Sequence, residues 1–167
     1  MRLTILTTGG TIDKTYDEFQ GNLRNEQTAI DVILDLLRVP DLVISHVEVM
    51  HKDSLDMTEE DRETIAKAVC GAAPTSDAVV ILHGTDTLAD TGELLVRQCS
   101  GLDIPIILTG AMRPYEFRDT DATQNVTEAL LASRLLEGSV YVAMHNRVLK
   151  FPGVIKDREA LTFIRND

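Results

Sequence analysis

The sequence predicts an α/β domain: three layers, with a mostly parallel sheet covered by helices on both faces. Apolar runs at 2–7, 42–49, 78–83, 104–109 and 139–144 have strand length, and several are nearly unbroken hydrophobics, as strands buried on both faces are. Helical patterns alternate with these runs, the signature of βαβ units. Three of the runs also end in small, hydroxyl-bearing turns: Thr7-Thr8-Gly9-Gly10-Thr11, His83-Gly84-Thr85-Asp86-Thr87 and Thr109-Gly110-Ala111-Met112-Arg113-Pro114. Ligands of open α/β sheets bind beyond the carboxyl ends of parallel strands, so neighbouring strands here would bring Thr11 and Thr85 to one pocket.

Taken in order, the first run leads into Gly9-Gly10, where glycine allows a tight turn and close approach to a ligand. Residues 13–24 are polar, contain Gly21 and show no periodicity; they read as a long loop of the kind that serves as a mobile lid. Ile30, Ile33, Leu34 and Leu37 fall at helix spacing. Thr58-Glu59-Glu60-Asp61 reads as an N-cap with an acidic first turn, opening a helix that runs to Cys70. Residues 90–99 and 123–136 read as further helices, the last stopped by Gly138. Residues 146–167 are mixed and are expected to close in a short helix. No repeat, linker or low-complexity stretch divides the chain, so residues 1–167 read as a single domain of Rossmann-like or flavodoxin-like winding.

At 167 residues the chain is long enough for one domain with a real core. Its net charge of −11 argues against a nucleic-acid partner, which would demand a basic stripe. Cys70 and Cys99 are too few for a disulfide framework or a zinc site and are expected as buried or half-buried free thiols in helices. No apolar run reaches signal-peptide or membrane-span length, which fits a cytoplasmic, reducing location with no membrane contact. His46, His51 and His145 are scattered, with no metal-ligand spacing.

The chemistry concentrates in the turns. Thr-Gly-Gly-Thr matches neither common phosphate-binding glycine motif, which leaves a structural turn or a reactive threonine at Thr11. Thr85 adds a second hydroxyl with the Asp86 carboxylate beside it. A threonine hydroxyl is a poor nucleophile until a base takes its proton; His83, Asp86, a lysine or a tyrosine are the candidates. Following directly on a strand, His83 reads equally well as a packed, hydrogen-bonded group. Arg113 reads as a brace for the turn ahead of Pro114, and Asp121 and Asn125 as helix-start residues.

In combination, Thr8-Gly9-Gly10-Thr11-Ile12, His83-Gly84-Thr85-Asp86-Thr87 and Gly110-Ala111-Met112-Arg113-Pro114 closely resemble the bacterial-type L-asparaginases. Ser54-Leu55-Asp56-Met57 resembles that family's Ser-Gln-Asp-Met segment, and Lys156, after Val148-Leu149, matches its catalytic lysine. The resemblance spans essentially the whole chain in order. It implies hydrolysis of L-asparagine to L-aspartate and ammonia without cofactor or metal. Thr11 would be the primary nucleophile, supported by Tyr16 in the lid, and Thr85, Lys156 and Asp86 a second catalytic group. Ser54 and Asp86 would hold the substrate's α-carboxylate and α-ammonium, backbone N–H groups at Gly10 and Gly84 would receive the oxyanion, and Ala111 would form a pocket wall. A homo-oligomer, dimer or tetramer, is implied as well.

Two departures stand out. The family's usual members are about twice this length and carry a smaller C-terminal domain; the chain ends at Asp167, where that domain would join, which implies a short form with a more open pocket and weak substrate affinity. Leu55 stands where the family has a substrate-contacting glutamine, implying one hydrogen bond fewer in the pocket. Alternatives are an amidase acting on glutamine or on an amide delivered to a partner protein, and a non-catalytic asparagine-binding module.

Overall fold

The computed structural model describes residues 1–25 and 28–165. In chain order its elements are β1 (Arg2–Thr7), β2 (Lys14–Asp17), β3 (Asn22–Asn25), α1 (Ile30–Leu36), β4 (Val43–Glu48), α2 (Glu59–Ala72), β5 (Ala78–Leu82) and α3 (Leu88–Gln98). There follow β6 (Pro105–Thr109), α4 (Ala122–Leu135), β7 (Ser139–Met144), β8 (Arg147–Lys150), β9 (Val154–Asp157) and β10 (Thr162–Arg165). The main sheet runs β4-β1-β5-β6-β7-β8. Its first five strands are parallel, and β8 returns antiparallel to β7.

Strand β5 shows why this sheet is double-faced. All five of its residues are buried, and their side chains alternate between two cores. Val79 and Ile81 join Leu6, Ile106 and Leu108 under α2 and α3, packed against Ile65, Val69, Leu94 and Leu95. Ala78, Val80 and Leu82 join Leu3, Ile5 and Ile107 under α1 and α4, packed against Ile30, Ile33, Val126 and Leu130. The three-layer α/β expectation holds. Among the parallel strands the spatial order is second, first, third, fourth, fifth, so the winding reverses between β1 and β5. In doubly wound sheets this reversal opens the ligand crevice. Thr7 pairs with Leu82 across it, so the first two turns leave the sheet at the same height.

Several local expectations need correction. Residues 14–25 form an antiparallel hairpin, β2 on β3, rather than a structureless loop. The Asp17 carboxylate accepts from the amides of Phe19 and Gln20, at 2.9 and 3.2 Å, and Gly21 closes the turn at φ 67°. The hairpin lies outside the core, so its strands carry no apolar alternation to read. Helix α2 has the expected cap, a reciprocal Thr58–Asp61 capping box. Helix α4 stops at Leu136, already extended, and not at Gly138. Gly138 serves a close crossing instead, since a Cβ there would meet Asp103 Cα at 2.9 Å. The tail holds no closing helix among the described residues: 147–150, 154–157 and 162–165 are strands, and the final two positions lie outside the described residues. Cys99 is buried as expected, but Cys70 is exposed, and the two free thiols lie 3.8 Å apart across the α2–α3 contact.

Candidate active site

The three turns meet. Gly10, at φ 100°, lies so close to the second turn that a Cβ on it would sit 2.5 Å from both Cα and N of Gly84. Gly110 lies against the carbonyl of His83, and a Cβ there would be 3.5 Å from Thr85 Cγ2. Thr8 fastens the first turn from below, its hydroxyl and amide both donating to the Leu82 carbonyl at 2.9 and 3.1 Å. Thr11 opens a single 3-10 turn, Thr11–Asp13, directly after Gly10, and is half-buried at the rim.

Ser54 is brought in from the chain beyond β4. The amide of Lys52 donates to the Thr8 carbonyl at 3.0 Å, drawing that segment onto the first turn. The Thr87 hydroxyl donates to the Ser54 carbonyl at 2.7 Å, binding it to the second. Ser54 is buried, its Oγ would be 2.6 Å from a Cβ on Gly84, and that hydroxyl has no partner. An unpartnered buried hydroxyl costs free energy unless something else satisfies it. Leu55, next to it, is 65% exposed, while Ala111 is buried at the base of the third turn.

Lys156 reaches the same point from β9. Its ammonium donates to Thr85 Oγ1 at 2.8 Å and to Asp86 Oδ1 at 3.0 Å. The β9–β10 hairpin that carries it is held down by buried Phe163, by a Glu93 carboxylate accepting from the Gly153 amide at 2.7 Å, and by a 3.1 Å contact between Thr162 Oγ1 and His145 Nδ1. Lys156 thus forms one hydrogen-bonded group with the adjacent pair Thr85 and Asp86, which precede it by 71 and 70 residues.

Tyr16 is placed differently from the other candidates. It sits on β2, is 61% exposed, and its backbone amide donates to Glu116 Oε2 at 3.0 Å. The same hairpin is pinned at its base by Lys14, whose ammonium lies 2.6 Å from Asp53 Oδ2. Burial raises the Asp53 pKa, but the Lys14 hydrogen bond and the Leu55 amide outweigh it and hold the carboxyl below its ordinary value. Beneath the hairpin lies an open cleft lined by Lys14, Leu23, Arg24, His51, Lys52 and Asp53.

His83 is a core group, with both ring nitrogens already engaged. Its Nδ1 lies 2.8 Å from the Gly84 carbonyl, so that nitrogen donates, and Nε2 then accepts from the Thr91 hydroxyl at 2.8 Å. Complete burial pulls its pKa from 6.5 to about 4, which keeps the ring neutral. The third turn has a brace that sequence reading reduced to helix-start residues. Asp121 accepts from the amides of Met112 and Arg113, each at 3.0 Å, from Asn125 Nδ2 at 2.8 Å and from His145 Nε2 at 2.7 Å. Burial raises the pKa of this carboxyl, yet these donors together hold it below its ordinary value. Arg113 itself pairs with Asp119.

Arg158, which sequence reading passed over, also contacts Asp86 Oδ1, at 3.1 Å. No sequence signal marked it: Arg158 lies in the turn after β9 and meets Asp86 only once the tail has folded back. Among the described residues no cluster of side chains could hold a metal ion, and no helix is long and apolar enough to cross a membrane.

The chain as a whole has known counterparts. The chain is 33% identical over 149 residues to the L-asparaginase of Thermococcus kodakarensis, covering 89% of this chain and 45% of that protein. It superposes on the solved structure of the thermostable L-asparaginase from the same organism with a TM-score of 0.86 at 32% identity, covering 99% of this chain and 51% of that one. It is also 29% identical over 148 residues to a glutamyl-tRNA(Gln) amidotransferase component of Methanobrevibacter smithii, across 86% of this chain and 33% of that protein. The chain therefore spans about half or less of the length of these relatives. The family model described as asparaginase, N-terminal, matches residues 2–158, and the turns that meet at the β1–β5 reversal all fall inside that span: the chain belongs to the asparaginase family, in the part that corresponds to its N-terminal domain.

Proposed function

We propose that the chain carries the chemistry of an amidohydrolase that converts L-asparagine to L-aspartate and ammonia. The observation that carries this reading is Lys156, bridging the Thr85 hydroxyl and the Asp86 carboxylate where the Gly10 and Gly84 turns touch. In this reading Thr11 Oγ attacks the side-chain amide carbon, and backbone N–H groups at the Gly10 and Gly84 turns stabilise the oxyanion. Collapse of the intermediate breaks the C–N bond, and ammonia leaves with the proton that Thr11 gave up. Water then attacks the Thr11 ester, returning the threonine hydroxyl and releasing the new carboxylate. Thr85 and Lys156 move the protons; for Lys156 to take one from the Thr85 hydroxyl it must first release one of its own, and that hydrogen bond then reverses direction.

The ligand's charged ends have candidate partners on the same rim. Ser54 Oγ, buried and unpartnered, would donate to the α-carboxylate, and Asp86 would accept the α-ammonium in a charge-assisted bond. Ala111 and Leu55 would form the walls. Tyr16 would act only once its hairpin closes over Thr11, since its side chain stands in solvent. No metal or cofactor enters this chemistry. A homo-oligomer, dimer or tetramer, belongs to the same proposal, supported by exposed Val43 and Val47 on the edge strand β4. A cytoplasmic location belongs to the same proposal.

Ammonia release from L-asparagine by the purified chain, compared with Thr11→Ala, tests the reading; equal release from the two, or none from either, overturns it. The similarity to an amidotransferase component favours a second version, an amidase that passes its product to a partner. The same assay with L-glutamine and other amides, showing turnover of those in preference to asparagine, would select it.

A further inference from the structure

Asp86 carries two cations on one oxygen. Lys156 Nζ lies 3.0 Å from Oδ1 and Arg158 Nη1 3.1 Å from the same atom. The two are not equivalent. The Lys156 side chain is 12% exposed and also holds Thr85, whereas that of Arg158 is 68% exposed. Arg158 stands just past β9, in a turn fixed by Asp157 Oδ1, which accepts from the amides of Glu159 and Ala160 at 2.9 Å each. The backbone beneath Arg158 is thus anchored while its guanidinium reaches Asp86 from an exposed position. An exposed ion pair made by a long side chain is weak and screened by salt, so this partner can be displaced.

We propose that Arg158 is a specificity-determining residue that competes with the ligand's α-ammonium for Asp86. The inference rests on the reading above that Asp86 receives that ammonium. Lys156 is retained by its Thr85 contact, so the cation that an ammonium entering at Asp86 weakens is Arg158, whether the ammonium takes Oδ1 or the carboxylate's second oxygen. Ligands without an ammonium leave the Arg158–Asp86 pair in place. The consequence is a site that favours amino-acid ligands less than a bare Asp86 would, and whose preference is set from the hairpin and not from the sheet.

L-Aspartate and succinate differ only in the α-ammonium, and calorimetric titration of both into the full chain tests the proposal without requiring turnover. In Arg158→Ala, and independently in Arg158→Gln, affinity for L-aspartate relative to succinate rises by about two- to fivefold over the parent chain, the range expected when a weak exposed competitor is removed. An unchanged or lower ratio in both variants overturns the proposal, as does failure of L-aspartate to bind any of the three proteins. Ammonia release is read separately. A chain that binds L-aspartate with this dependence on Arg158, yet releases no ammonia from L-asparagine, overturns the amidohydrolase reading and leaves the competition at Asp86 standing.

Discussion

Gly10 and Gly84 touch backbone to backbone: a single Cβ on Gly10 would fall 2.5 Å from both Cα and N of Gly84. This contact, at the reversal point of the sheet, joins two turns that are otherwise separate in the chain. Gly10 also stands at φ 100°, where a side chain is strained whatever space surrounds it. Gly10→Ala is therefore expected to lose about 1–3 kcal/mol of stability and to push the turns apart. Urea denaturation reads the first effect, and the affinity for L-aspartate reads the second. A variant of parental stability and affinity would show that the contact is not needed.

Thr11→Ala and Lys156→Met are each expected to lower kcat for asparagine by at least about a hundredfold, with circular dichroism unchanged. Removing the Lys156 ammonium leaves Asp86 paired with Arg158, so the carboxylate is not stranded and the fold should survive. Full activity in either variant would remove that residue from the chemistry.

Stability should fall on the acid side partly because of His83. Its folded pKa is depressed, so the neutral ring contributes fully above the unfolded value of 6.5, and that contribution is lost as pH falls towards about 4. The most this one group can remove across the window is about 3 kcal/mol, from 6.5 down to about 4. In His83→Gln, which keeps one donor and one acceptor, the loss between pH 6.5 and 4 is expected to be shallower by that order. Denaturant midpoints measured at half-unit intervals decide it, and parallel curves would assign the acid loss to other groups.

Leu55→Gln should tighten asparagine binding at no cost in stability, because Leu55 is 65% exposed and leaves no cavity. One added hydrogen bond to the ligand is worth about 1 kcal/mol, roughly fivefold in KM. Steady-state kinetics on asparagine and glutamine would show it, and an unchanged KM for both would place position 55 outside the pocket.

Much of the fold was legible because burial writes itself plainly into strands such as Ala78–Leu82, whose every residue is covered. The α2 start was equally legible, since Thr58 and Asp61 satisfy each other locally. The hairpins were not. Strands β2 and β3 lie outside both cores, and β8 to β10 are four residues each, too short to display a period. In the site, the three turns could be placed by their residues alone, and their meeting followed from strand order. The Asp121 brace could not, because its partners Met112, His145 and Asn125 become neighbours only when three elements have packed. Arg158 was hidden by the same rule, being an ordinary surface cation until the tail folds back.

The amine of Lys156 arrives on a two-stranded hairpin that is separate from the main sheet and packs on it through Val154 and Phe163. Thr85, its partner, lies 71 residues earlier, in the turn that follows the buried strand β5. Under the proposed chemistry, a chain whose hairpin is undocked holds both threonines but lacks the lysine assigned to take a proton from Thr85. On that reading, activity is tied to the local opening equilibrium of one small unit and not to global unfolding. Conditions that loosen that unit would silence the chemistry long before the protein melts.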